Sequence, residues 1–197
     1  LAFWDKMEKA NRFLETMIAF RDRDINDRSL AMYLQYPFGD GGWWDYFQAL
    51  IRKYGIVPAS AMPETKQSAA TNSINKLIKS KLRKRAAEIR RRHEAGVAED
   101  GLRKYKEFVL ADIYALLSYS YGPVPEEFTF RYEKEEDSTK VFVEETHTAQ
   151  SFFEEYFGDD MPEYVALAHN PAFDMNQLYR FEAARNVQEG EDIQVLN

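Results

Sequence analysis

The sequence predicts an α+β fold, and three observations carry that reading. Apolar residues recur at steps of three or four from Phe3 to Leu117, the period of helices that bury one face. From Phe128 to Val143 the step drops to two, the period of strands. With 45% hydrophobic and 15% aromatic residues, the 197-residue chain has the material for a real core, in one large domain or two small ones.

In the first element Phe3, Met7, Ala10, Leu14, Met17 and Ile18 share one helical face. The helix runs out in RDRDINDRS, read as a loop. LAMYLQYPF is ambiguous, since Leu30, Tyr33 and Leu34 suit a helical turn while Pro37 stops any helix. Trp43, Phe47, Leu50, Ile51 and Tyr54 mark a second helix, with Asp45 suited to its N-terminal dipole and Gly55 as its stop. IVPASAMPE is extended. A long helix is expected over about Ala69 to His93, with Ile74, Leu77, Ile78, Leu82, Ala86 and Ile89 as its stripe, ended by Gly96. Leu102, Tyr105, Phe108, Val109, Ile113, Leu116 and Leu117 carry a fourth helix, stopped by Gly122-Pro123. Phe128, Phe130 and Tyr132 alternate against Val141 and Val143 across a polar turn as two strands. Thr148 caps a short helix through AQSFFEEYF, and VALAHNP and LYRFEAARNV read as two further strands. No internal repeat or low-complexity tract interrupts this order.

Composition narrows the chemistry. Cysteine is absent, which removes disulfides, thiolate metal ligands and a cysteine nucleophile together, and suits a reducing compartment such as the cytoplasm. His93, His147 and His169 are far apart and none has a ligand-like neighbour at i+4, so neither a metal site nor a cofactor is expected. No apolar run approaches the roughly 18 residues a bilayer span needs, and no leader pattern opens the chain, so membrane insertion and secretion find no support. The net charge of −7 hides an asymmetry. Residues 66–106 hold thirteen Lys/Arg against four Asp/Glu, and residues 123–163 hold three against thirteen. Such blocks suit solvated faces, or two surfaces that meet within the chain or between subunits.

The most informative stretch is GDGGWWDYFQALIRKYG, residues 39–55. Glycine permits positive φ, and it lets another backbone lie close because no Cβ intrudes. Gly41-Gly42 is therefore either a plain turn or a place where the main chain must stay bare. Asp-Gly-Gly, two tryptophans, a three-turn helix and Tyr-Gly-Ile resemble the corresponding segment of papain-type cysteine peptidases. LAFWDKMEKANRFLE with GDGGWWDYFQALIRKYGIVPASAMPE is similar, more closely, to the bleomycin hydrolase and aminopeptidase C family. NSINKLIKSKLRKRAAEIRRRHEAG, PEEFTFRYEKEE, TAQSFFEEYF and YVALAHNPAF…LYRFEAARNV follow in the family's order, so the likeness covers nearly the whole chain.

The resemblance implies a papain-like helical subdomain in residues 1–63 and a family-specific helical and β-hairpin insertion in residues 64–197. It implies that Gly41 and Gly42 pair with an extended peptide, with Asp40 shaping the turn and Trp43 and Trp44 flanking the pocket for the second substrate residue. Each tryptophan has a core residue as its bland alternative. It also implies a cysteine nucleophile before the segment matched by LAFWDK, and a histidine and asparagine after DIQVLN. The chain is thus expected to be the middle portion of a longer enzyme, inactive alone, with no catalytic residue of its own. A closed homo-oligomer, typically a hexamer, is implied as its assembly, and peptides as its substrates.

Two other classes stay open. KLIKSKLRKRAAEIRRR invites nucleic-acid binding through a basic helix at 74–92, although it has no interleaved aromatics for base stacking. A helix burying Ile74, Leu82 and Ile89 must also turn its charges outward in any case, toward solvent, a cavity or the acidic block. The other class is a non-catalytic oligomerisation module.

Overall fold

The computed structural model describes residues 1–136, 139–158, 166–181 and 193–196. Within them the order is α1 (Ala2–Ala19), α2 (Arg28–Gln35), α3 (Trp44–Tyr54), α4 (Lys66–Ala69), α5 (Asn72–Glu94) and α6 (Glu99–Tyr121), then β1 (Phe128–Glu136), β2 (Thr139–His147), α7 (Ala149–Tyr156), β3 (Ala166–Leu167), β4 (Leu178–Phe181) and β5 (Ile193–Leu196). Helices come first and a small mixed unit follows, the α+β class expected.

Three helices make the core. α1 contributes Phe3, Ala10, Phe13, Leu14, Met17 and Ile18, α5 contributes Ile74, Ile78, Leu82, Ala86 and Ile89, and α6 contributes Leu102, Val109, Ile113 and Leu117. Each set recurs at three or four residues, so each helix turns one stripe inward. The cluster draws on both sides of position 63, so the first and second parts of the chain pack as one body. Two stripe residues are corrected: Leu77 and Phe108 are exposed, because they lie on the flank of their helices beside the buried rows 74–78–82 and 105–109–113. Leu116 is half-buried for the same reason.

Local chemistry resolves the ambiguous stretches. Asp27 caps α2 by accepting from the Leu30 N–H, so LAMYLQ is helical and the polar loop ends sooner than expected. Thr65 and Ser68 form a reciprocal capping box that nucleates the single turn α4. The long helix consequently starts at Asn72 rather than Ala69. The second helix starts at Trp44, with Trp43 as its extended N-cap residue.

β1 and β2 pair antiparallel, with Phe128 opposite His147 and Tyr132 opposite Val143, the alternation the sequence suggested. α7 covers one face through Phe152 and Tyr156, which meet Phe130 edge-on. The expected strand in VALAHNP is confined to Ala166–Leu167, and Val165 lies outside the described residues. Of LYRFEAARNV only Leu178–Phe181 is described, as β4. The unforeseen β5 lies between them, parallel to β3 and antiparallel to β4.

The charged blocks find near partners. Lys81 and Arg85 pair with Asp112 on α6, and Glu88 holds Arg91 and Arg92. Arg83 donates to the carbonyls of Leu34 and Gln35, and Arg90 to those of Phe20 and Arg23. In the acidic block, Glu144 pairs with Arg131 and Glu133 with Lys140 across the hairpin. Among the described residues no helix is long and apolar enough to cross a membrane.

Candidate functional site

The loop from Gly39 to Trp43 connects Phe38, which is buried, to α3. Gly39, Asp40, Gly41, Gly42, Trp43 and Trp44 are all exposed. The two readings of the glycine pair can now be separated. Positive φ occurs at Gly55, Gly96 and Gly122 and not at Gly41 or Gly42, so no left-handed turn demands these glycines. A Cβ added at Gly39 or Gly41 would meet nothing within 4 Å, and one at Gly42 would press on the Tyr46 ring at 3.0 Å. Packing within the chain therefore asks for glycine weakly at Gly42 and not at all at Gly41.

The loop is exposed, but it is fastened from beneath. Lys6 and Lys9 lie on the buried face of α1, only 2% and 4% exposed. A buried ammonium is costly unless its three donors are met. Lys9 Nζ meets all three, donating to the Gly39 carbonyl at 2.9 Å, the Gly41 carbonyl at 2.8 Å and Asp5 Oδ2 at 2.7 Å. Lys6 donates to Asp40 Oδ1 and to Asn75 Oδ1 at 2.7 Å. The other Asp40 oxygen accepts from Thr71 Oγ1 and Asn75 Nδ2, each at 2.7 Å. Asn75 thus accepts from the cation and donates to the carboxylate, closing a ring with Lys6 and Asp40.

The electrostatics follow from these bonds. Partial burial alone would raise the Asp40 pKa, but hydrogen bonds from Lys6, Thr71 and Asn75, with the Lys6 charge, overcome it and hold the carboxyl down at about 2. Burial pushes the neighbouring Asp5 carboxyl above its ordinary range despite Lys9 and Lys6. Burial, followed by the charges of Asp40 and Asp5, pushes the Tyr121 phenol up to about 12. Its hydroxyl is buried with no hydrogen-bond partner among the described residues.

A cavity lies on each side of the loop. One, of ≈ 390 Å³, is lined by Asp5, Lys6, Asp40, Gly42, Trp43 and Phe47 among others. The second, of ≈ 410 Å³, is lined by Arg12, Tyr36, Gly39, Gly41, Gly42 and Trp43 among others. Gly42 and Trp43 border both, so the bare backbone forms a ridge between two hollows. Trp43 is 45% exposed and Trp44 36%, so neither is core within this chain. Trp43 takes part in the cavity walls, whereas Trp44 leans on Phe47, with ring centroids 4.9 Å apart, and lines neither.

The Asp40 carboxylate is a tertiary node, tied to Lys6 on α1 and to Thr71 and Asn75 at the start of α5. The supporting residues Lys6, Lys9, Thr71 and Asn75 escaped the sequence reading. For the lysines a signal existed: steps of three and four from Phe3 through Lys6 to Ala10 and Phe13 put Lys6 on the apolar stripe, where an unpaired lysine is rare.

The histidines stand apart. His93 pairs with Asp22, His147 lies near Glu145 and Glu155, His169 is exposed, and none lines either cavity beside the loop. Among the described residues no group of three or more His, Cys, Asp or Glu is placed to hold a metal ion. The site offers main-chain groups, aromatic faces and a hydrogen-bonded footing, a set suited to binding.

Comparison with known proteins bears on the family. The family profile described as the Peptidase C1-like family matches residues 1–197. Aminopeptidase C of Listeria monocytogenes is 38% identical over 197 residues, covering 99% of this chain and 44% of that protein. Aminopeptidase G of Lactobacillus delbrueckii subsp. lactis is 36% identical over 195 residues, again 99% of this chain and 44% of that protein. The crystal structure of PepW from Lactobacillus rhamnosis HN001 superposes with a TM-score of 0.90 at 36% identity, over 100% of this chain and 44% of that one. The chain thus spans less than half the length of these relatives. On the profile match over its full length, the chain belongs to the peptidase C1-like family.

Proposed function

We propose that this chain forms one wall of the substrate cleft of a cysteine-type aminopeptidase of the bleomycin hydrolase kind. The observation that carries the reading is the state of Gly41 and Gly42. Their backbone is exposed beside two cavities, neither has a left-handed φ, and nothing inside the chain requires Gly41 to lack a side chain. Among the described residues no intrachain hydrogen bond engages the Gly41 N–H or either polar group of Gly42. Such groups suit an extended peptide that pairs main chain to main chain. Trp43 would close the pocket beside it, with Trp44 behind.

In the full-length enzyme a cysteine thiolate attacks the amide after the first residue, and a histidine protonates the departing amine. Water then hydrolyses the acyl-enzyme. This chain holds no cysteine, so alone it has no nucleophile for that step. In this reading residues 1–63 belong to the catalytic domain and residues 64–197 to an insertion that builds a cytoplasmic homohexamer.

A fluorogenic aminoacyl substrate tests the proposal. The full-length enzyme is expected to turn it over and the pure 197-residue chain to give no rate above background. Gly41→Val in the full-length enzyme should raise KM roughly tenfold, the loss of one or two main-chain contacts. An unchanged KM would remove the peptide-binding wall.

A further inference from the structure

The hold on Asp40 reaches into the second part of the chain. Thr71 and Asn75 lie 31 and 35 positions beyond it, at the start of α5, and both bond its Oδ2 at 2.7 Å. Thr71 is the N-cap residue of α5, where a threonine oxygen ordinarily accepts from the second or third helical N–H. It makes no such bond. Its hydroxyl is turned outward and donates to Asp40 instead, so the residue forgoes the local cap in favour of a tertiary one. The Asp40 carboxylate in turn sits by the N-terminal end of α5, where the helix dipole favours negative charge. Asn75 spends both ends of its amide on the same ring, accepting from Lys6 and donating to Asp40.

We infer that Thr71 and Asn75 are positioning residues for the Gly39–Gly42 ridge, so that the N-terminal end of α5 sets the geometry of the peptide-binding edge. The inference rests on the peptide-wall reading above. Lys9 holds the ridge at the carbonyls of Gly39 and Gly41, and the Lys6–Asp40–Asn75 ring with Thr71 fixes the residue between them. The carbonyl contacts hold the Gly39–Asp40 and Gly41–Gly42 peptide planes but leave the Asp40–Gly41 plane between them free to rotate. The side-chain contacts from α5 remove that freedom and aim the bare face of Gly41 and Gly42 outward. Neither Thr71 nor Asn75 need touch a substrate to do this.

The test uses the full-length enzyme with four substitutions and an aminoacyl fluorogenic substrate, reading KM and kcat separately. Thr71→Val keeps the shape and removes the hydroxyl, Thr71→Ser keeps the hydroxyl, Asn75→Leu removes both amide bonds, and Gly41→Val obstructs the ridge. Thr71→Val and Asn75→Leu should each raise KM three- to tenfold with kcat within twofold, and Thr71→Ser should restore the parent KM. Such rescue tracks the hydroxyl rather than bulk. If Asn75→Leu fails to fold, the threonine pair decides alone. A KM within twofold of the parent in Thr71→Val, with Gly41→Val raised, overturns the positioning role and leaves the peptide wall standing. An unchanged KM in Gly41→Val overturns the wall and this inference with it.

Discussion

Gly55 and Gly41 lie on either side of α3, and they are glycines for opposite reasons. At Gly55 the chain itself demands the missing side chain. Its φ is +67°, and a Cβ would lie 2.2 Å from the carbonyl carbon and oxygen of Ala149, where α7 begins. There Ile56 N–H donates to the Ala149 carbonyl at 3.1 Å, and Gln150 reaches back to the carbonyls of Arg52 and Lys53. At Gly41 a Cβ would meet nothing within 4 Å and φ is not positive. The difference teaches how to sort glycines: one is explained by what the fold packs against it, while the packing of the described residues does not account for the other.

The sharpest way to break the contrast is Gly55→Ala. Left-handed strain of order 1 kcal/mol adds to a backbone clash that forces α7 away, for a loss of about 3 kcal/mol or more. A shift in the urea midpoint of the 197-residue chain measures it, and an unmoved midpoint would mean that α3 and α7 do not meet this way. Lys9→Met comes next. It keeps the length of the side chain but leaves Asp5 without its cation and two carbonyls without a donor, a loss of about 3 kcal/mol at most. A midpoint unchanged by that substitution would contradict the fastening beneath the loop.

Asp40→Asn should act through pH. Its hydrogen bonds and the Lys6 charge hold the folded carboxyl at about 2, below the ordinary aspartate value of 3.8. The ionised form therefore favours the fold above pH 3.8, and its contribution is lost as pH falls through 2. Parent and variant should differ most near neutrality and converge as pH drops from about 4 toward 2, in paired thermal melts. A constant difference would mean that the charge does not matter. A smaller effect is expected at Tyr121, whose buried hydroxyl has no partner among the described residues. Tyr121→Phe should be neutral or stabilising by up to about 1 kcal/mol, and a clear loss would reveal an unseen acceptor. Gly41→Ala should have the smallest effect on folding, within about 0.5 kcal/mol. Set beside Gly55→Ala, it completes the contrast.

Much of this architecture was legible in the sequence because helices that bury one face must repeat at 3.6 residues. α1, α3, α5 and α6 were found that way, and the hairpin by its step of two. The errors have physical causes. Leu77 and Phe108 fit the apolar step but fall just off the buried row, which only the neighbouring helix decides. α4 is a single turn and β5 pairs with distant strands, so neither has a local period to read. The exposed ridge was legible as a motif, but its footing was not. Asp40, in a loop, finds partners on α1 and at the start of α5, and no spacing rule joins Gly39 to Lys9. The lysines are readable in principle, as cations interrupting an apolar stripe, but most lysines on a helix face water, so the pattern alone does not single them out.

The arginines of α5 carry one more consequence. Arg83 and Arg90 stand about two turns apart, and each clasps the trailing end of a different helix, α2 for the first and α1 for the second. The strip of positive charge is therefore partly a brace, stitching the peptide groups where two neighbours unwind. Any anion that came to this surface would have to bargain with seams already sewn, and neutralising those two guanidinium groups would loosen two joints before it freed a docking place.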